Sequence, residues 1–73
     1  MSIVEKFSKR LQTLRKKANI SQEELAFRSK LDRTYISSVE NGRRNISIKN
    51  IEKIATALKI SVKDFFDTSD FKQ

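Results

Sequence analysis

Glycine occurs once in the 73 residues, at Gly42, and proline not at all. Strands joined by tight turns need more punctuation than one glycine supplies. Helices linked by short polar turns are therefore the expected architecture, all-α in class. The length allows one domain, and 37% hydrophobic residues can fill a small core but not line a deep substrate cleft. Cysteine and histidine are both absent, which excludes disulfides, thiolate chemistry, the commonest general base and the commonest zinc ligand. No metal site and no cofactor are expected.

The apolar spacing divides the chain into five helices, over about 3–18, 22–29, 33–41, 48–58 and 62–66, with a loose tail at 68–73. Phe7, Leu11, Leu14 and Ala18 fall on one stripe of the first helix. Ser21-Gln22-Glu23-Glu24 reads as a capping box, with Glu24 reaching back to the Ser21 amide, and Ser61-Val62-Lys63-Asp64 repeats the pattern. Asp32 is the expected N-cap of the third helix, Asn41-Gly42 its stop, and Ser47 the cap of the fourth. The expected core is Phe7, Leu11, Leu14, Ile20, Leu25, Ile36, Val39, Ile48, Ile51, Ile54, Leu58, Ile60 and Phe65. Phe27 has no assigned berth: covering Leu31 and full exposure both remain open.

Sixteen Lys and Arg against nine Asp and Glu give a net charge of +7. Residues 1–44 carry +6 of it and residues 45–73 only +1. A field so placed would steer the first half onto a polyanion. The longest apolar-leaning stretch, Ile54 to Leu58, is far too short to span a bilayer, and the opening Met-Ser-Ile-Val-Glu-Lys lacks the features of a signal peptide. A cytoplasmic location with no membrane partner is expected.

The second and third helices are joined by only a few residues, and the small Ala26 faces the place where Ile36 and Val39 return. That arrangement lets two helices cross closely and steeply, as in a helix-turn-helix whose second helix can enter a major groove. The segment SQEELAFRSKLDRTYISSVENG, Ser21 to Gly42, resembles the DNA-binding domain of phage repressors and Cro, the Xre-like family. Gln22-Glu23-Glu24-Leu25-Ala26, Val39-Glu40-Asn41-Gly42 and Ala57 to Val62 carry the match, which covers about Phe7 to Phe66. Leu31 to Ser37, followed by Arg44-Asn45, is similar more narrowly to the controller proteins of restriction–modification systems. The resemblance implies a compact five-helix, lambda-repressor-like bundle. Where this family often carries glycine in the turn, Lys30 stands here, so a slightly different turn path is expected.

The resemblance also assigns roles. Arg33, Thr34, Tyr35 and Ser38 become base contacts, with Arg33 able to grip guanine O6 and N7. The alternative for Arg33 is a solvated arginine beside Asp32, and for Tyr35 a backbone contact. Gln22, Arg43, Arg44 and Asn45 become contacts to the DNA backbone, against plain solvent exposure. Arg15 and Glu40 are implied to form a partly buried structural bridge. Val62 and Phe66 are candidates for a two-fold contact, against a purely core role.

The implied function is a homodimeric regulator that binds a pseudo-palindromic operator to activate and repress transcription. Activation would require RNA polymerase as a further partner, with Glu23 a candidate acidic handle. A phage or mobile-element repressor or an antitoxin would use the same fold. A membrane-surface or interaction module would need the first helix's apolar stripe, which the core also needs. An enzyme is not expected, because no nucleophile–base arrangement can be drawn.

Overall fold

Serine opens four of the five helices. In the computed structural model, which describes residues 1–72, the helices are α1 (Ile3–Lys17), α2 (Gln22–Ser29), α3 (Arg33–Glu40), α4 (Ile48–Ala57) and α5 (Val62–Phe65). The hydroxyls of Ser2, Ser21, Ser47 and Ser61 each accept the amide three residues on, at 3.0–3.2 Å. This satisfies donors that the helix itself leaves free.

The caps differ from expectation in three ways. The full reciprocal box is at Ser2, whose own amide donates to Glu5 Oε1 at 2.9 Å. At Ser21 only half of the box forms, because Glu24 turns to Arg28 at 2.8 Å, and at Ser61 only the serine half forms. Asp32 starts α3 without any side-chain cap bond. Its exposed carboxylate stays hydrated, and only its charge still favours the helix start.

The helix ends share a second device. Asn19, Lys30, Gly42 and Lys59 follow α1, α2, α3 and α4 with φ between 59° and 70°, the left-handed region. The Lys30 turn therefore keeps the left-handed path instead of departing from it. Two bonds hold it there, Lys30 N–H to the Phe27 carbonyl at 3.3 Å and Leu31 N–H to the Ala26 carbonyl at 3.0 Å. They offset a conformational cost of about 1–2 kcal/mol for a residue with a Cβ.

α2 packs on α3 and on α4, and α1 packs on α3, so the core lies between all four. Phe7, Leu11, Leu25, Ile36, Val39, Ile54, Leu58 and Phe65 are buried in it, with Ala26, Ala55 and Ala57 where helices approach closely. Leu14, Ile20, Ile51 and Ile60 are partly buried against it. Ile48 is not part of it: at the first turn of α4 the side chain is 80% exposed. Ala18 is likewise exposed, since it caps α1 after the stripe has ended. Phe27 is 81% exposed, which settles its open placement.

The segment after α5 is ordered more than a loose tail. Ser69–Phe71 forms a 3₁₀ turn that returns to α1, opened by the Thr68 hydroxyl. Phe71 meets Phe66 edge-on at 4.9 Å, and Phe66 in turn tilts against Phe65 and Phe7. Edge-on and tilted aromatic pairs of this kind add stability beyond the area they bury. Gln73, the end of the expected tail, lies outside the described residues.

Candidate nucleic-acid interface

α3 has two faces because Ile36 and Val39 point into the core while Arg33 and Thr34 remain exposed. Its N-terminal turn therefore stands out from the body, held by burial further along the same helix. α2 crosses beneath it, with the buried Ala26 and Leu25 at the contact.

The far end of α3 is tied down by Glu40, which is 3% exposed. Arg15 Nε donates to Glu40 Oε2 at 2.6 Å, and Arg15 Nη2 donates to Oε1 at 3.1 Å. Gln22 Nε2 also donates to Oε1 at 3.1 Å. Gln12 Nε2 donates to the Glu40 carbonyl at 2.6 Å, and Arg15 Nη1 to the Ile20 carbonyl at 2.9 Å. One carboxylate thus joins α1, the turn after it, the start of α2 and the end of α3. Charge-assisted, two-pronged bonds of this type fix angle as well as distance. No buried side-chain polar atom lacks a partner among the described residues.

Gln22 is therefore engaged inside the fold, with its amide nitrogen turned to Glu40. The other sequence-derived residues do not form one cluster. Thr34, Tyr35 and Arg44 border a common depression with Lys30, Leu31, Asp32 and Asn50. The Arg44 guanidinium lies over the Tyr35 ring, 4.9 Å from its centre, and the Tyr35 hydroxyl accepts from Asn50 Nδ2 at 3.0 Å. A cation on an aromatic face is attracted by the ring quadrupole. This couples the loop after α3 to α3 itself. Arg43 and Asn45 are exposed in that loop, whereas Ser38 is half-buried on α3.

Asn50 had no assigned role, and periodicity offers no signal for it, because its partner lies fifteen residues away on another helix. Gln12 was missed for the same reason. Arg33 stands apart from the depression and faces Glu23 of α2 instead, Nε to Oε1 at 3.9 Å. At the other end, Val62 is 40% exposed and Phe66 half-buried in its aromatic cluster. The two are not equally available to a second copy.

Arg44 and Asn45 also edge an apolar cleft with Ile3, Val4, Phe7, Ile46 and Ile51. It holds about 150 Å³, half the lower bound of about 300 Å³ for small-molecule sites. No helix of the described residues is long and apolar enough to cross a membrane.

A helix-turn-helix family model matches residues 11–65, three quarters of the chain. The control protein C.BamHI of Bacillus amyloliquefaciens is 57% identical over 51 residues, covering 70% of this chain and 63% of that protein. The chain's match thus spans somewhat less than two thirds of that relative's length. Among solved structures, the restriction–modification controller protein C.AhdI of Aeromonas hydrophila superimposes with a TM-score of 0.83 at 51% identity, over 86% of this chain and 96% of that one. The chain belongs to the helix-turn-helix controller-protein family. Controller proteins are transcription regulators that bind DNA and are not enzymes, in keeping with the exposed first turn of α3. The controller protein C.Esp1396I, solved as a tetramer with its natural 35 base-pair operator, superimposes with a TM-score of 0.86 at 40% identity, over 92% of this chain and 90% of that one.

Proposed function

We propose that this chain forms a homodimer that binds a pseudo-palindromic operator, and by doing so activates and represses transcription of a restriction–modification locus. The observation that carries the reading is the exposed first turn of α3, bearing Arg33 and Thr34, on a helix whose other face and far end are buried. Arg33, Thr34, Tyr35 and Ser38 read bases in this scheme, from the turn that enters the major groove. Arg43, Arg44 and Asn45 contact the sugar–phosphate backbone from the adjoining loop. Gln22 does so from the start of α2, donating its backbone N–H or the second N–H of Nε2, whose first N–H braces Glu40.

Val62, with the accessible edge of Phe66, forms the contact between protomers. The tetramer that C.Esp1396I makes on its operator supports two such dimers on neighbouring sites. Activation from one site then requires a contact to RNA polymerase, for which Glu23 on α2 keeps 80% of its side chain exposed even while it faces Arg33. Location in the cytoplasm follows from that partner.

Footprinting on the DNA upstream of the chain's own gene tests the reading. Protection of an inverted repeat with half-sites about one helical turn apart is the expected result. Protection of no palindrome there would contradict it.

A further inference from the structure

Arg33 and Glu23 sit on different arms of the helix-turn-helix, one at the first residue of α3 and the other in the first turn of α2. Their contact is made through Arg33 Nε, 3.9 Å from Glu23 Oε1. Which nitrogen faces the acid matters. A guanidinium grips guanine O6 and N7 with a pair of N–H donors, and its terminal nitrogens supply such a pair without Nε. At 3.9 Å between exposed side chains the Glu23 contact is one of charge and not a hydrogen bond, so it biases the guanidinium from its Nε edge while leaving the base-reading donors free. The other acid of that turn, Glu24, is taken by Arg28 at 2.8 Å, so Glu23 alone of the two serves Arg33.

We propose that Glu23 is a positioning residue for Arg33, its charge biasing the guanidinium from the Nε edge toward orientations in which the outer fork meets one guanine per half-site. The proposal rests on the reading of Arg33 as a base contact. Its energetic logic has two parts of opposite sign. An exposed carboxylate beside a polyanion weakens binding to every duplex by repulsion. Its support of Arg33 is realised only where a guanine stands in the right place. Glu23 therefore lowers affinity for arbitrary DNA while sharpening selection at one base pair.

The test uses the full chain as wild type, Glu23→Gln, Arg33→Ala and the double variant. Each is titrated against a duplex that the wild type selects from random DNA, its single-base-pair variants, and a scrambled duplex. Glu23→Gln is expected to lower discrimination at the Arg33 base pair by about two- to five-fold. The same variant binds the scrambled duplex more tightly and keeps the wild-type thermal midpoint, since both side chains are exposed. In the Arg33→Ala background, Glu23→Gln raises affinity for all duplexes alike and alters no base preference. Unchanged discrimination in Glu23→Gln overturns the proposal, as does an equal loss of discrimination with Arg33 already removed. If Arg33→Ala leaves the wild-type preference intact, the base-contact reading itself is wrong and the proposal falls with it.

Discussion

Removing the Glu40 carboxylate strands the Arg15 guanidinium, whose side chain is only 13% exposed, and also frees the Gln22 amide. Breaking a buried pair from one side costs about 3–5 kcal/mol, because the remaining charge stays desolvated. Glu40→Ala is therefore expected to lose about that much stability in urea denaturation, and to bind DNA poorly as a result. Stability unchanged within about 1 kcal/mol would show that the bridge holds nothing. The exposed arginines behave differently. Arg33→Ala should relax preference at one base pair per half-site by about 1–3 kcal/mol. Arg43→Ala, in the loop, should weaken binding to every sequence similarly and reduce the slope of log K against log salt by about one. Titrations over a range of salt on matched and scrambled duplexes separate the two behaviours.

The left-handed Lys30 between α2 and α3 stores strain that glycine would not carry. Lys30→Gly is expected to stabilise the fold by up to about 1 kcal/mol, the relieved strain being partly offset by the freer unfolded chain. A loss of stability on thermal melting would contradict this. At the start of α1, the Ser2 amide and hydroxyl hold the Glu5 carboxyl below its ordinary pKa. A lowered folded pKa means that the contribution is complete above the unfolded value, about 4.3, and disappears as the pH falls through the folded one. Glu5→Gln, which removes the titrating group, should flatten that part of the stability–pH curve, as denaturant titrations on either side of it would show. Ser2→Ala keeps the backbone N–H that is the larger cause and should flatten it only in part. The elements themselves were legible because serine caps and apolar stripes act within a few residues. What could not be read is local competition and distance. Glu24 prefers Arg28 to the Ser21 amide, Ile48 sits one turn before the core begins, and the Phe66–Phe71 contact orders a segment with no apolar period of its own. The exposure of Arg33 and Thr34 was legible from their place at the start of α3. The Asn50–Tyr35 and Gln12–Glu40 bonds depend on how separate helices pack.

The chain as a whole is small, with a Cα radius of gyration of 11.1 Å and extents of 33 × 24 × 22 Å. Its core has little redundancy, so Leu25→Ala at a fully buried position should cost about 2–5 kcal/mol and bring the fold near its limit. The same dimensions bear on function. α3 has eight residues, about 12 Å of helix, which reads only a few base pairs. A second reading helix facing the next major groove, about 34–36 Å away, has to come from a second copy. In the proposed assembly the +6 charge on residues 1–44, which include the helix-turn-helix, draws the dimer to the duplex, and the exposed turn of α3 chooses where it stops. Selection of bound duplexes from random DNA by the wild-type chain at moderate salt tests this most directly. The account expects an inverted repeat, half-sites one helical turn apart, bound at least about a thousand-fold more tightly than scrambled sequence. Enrichment of no common sequence would contradict it.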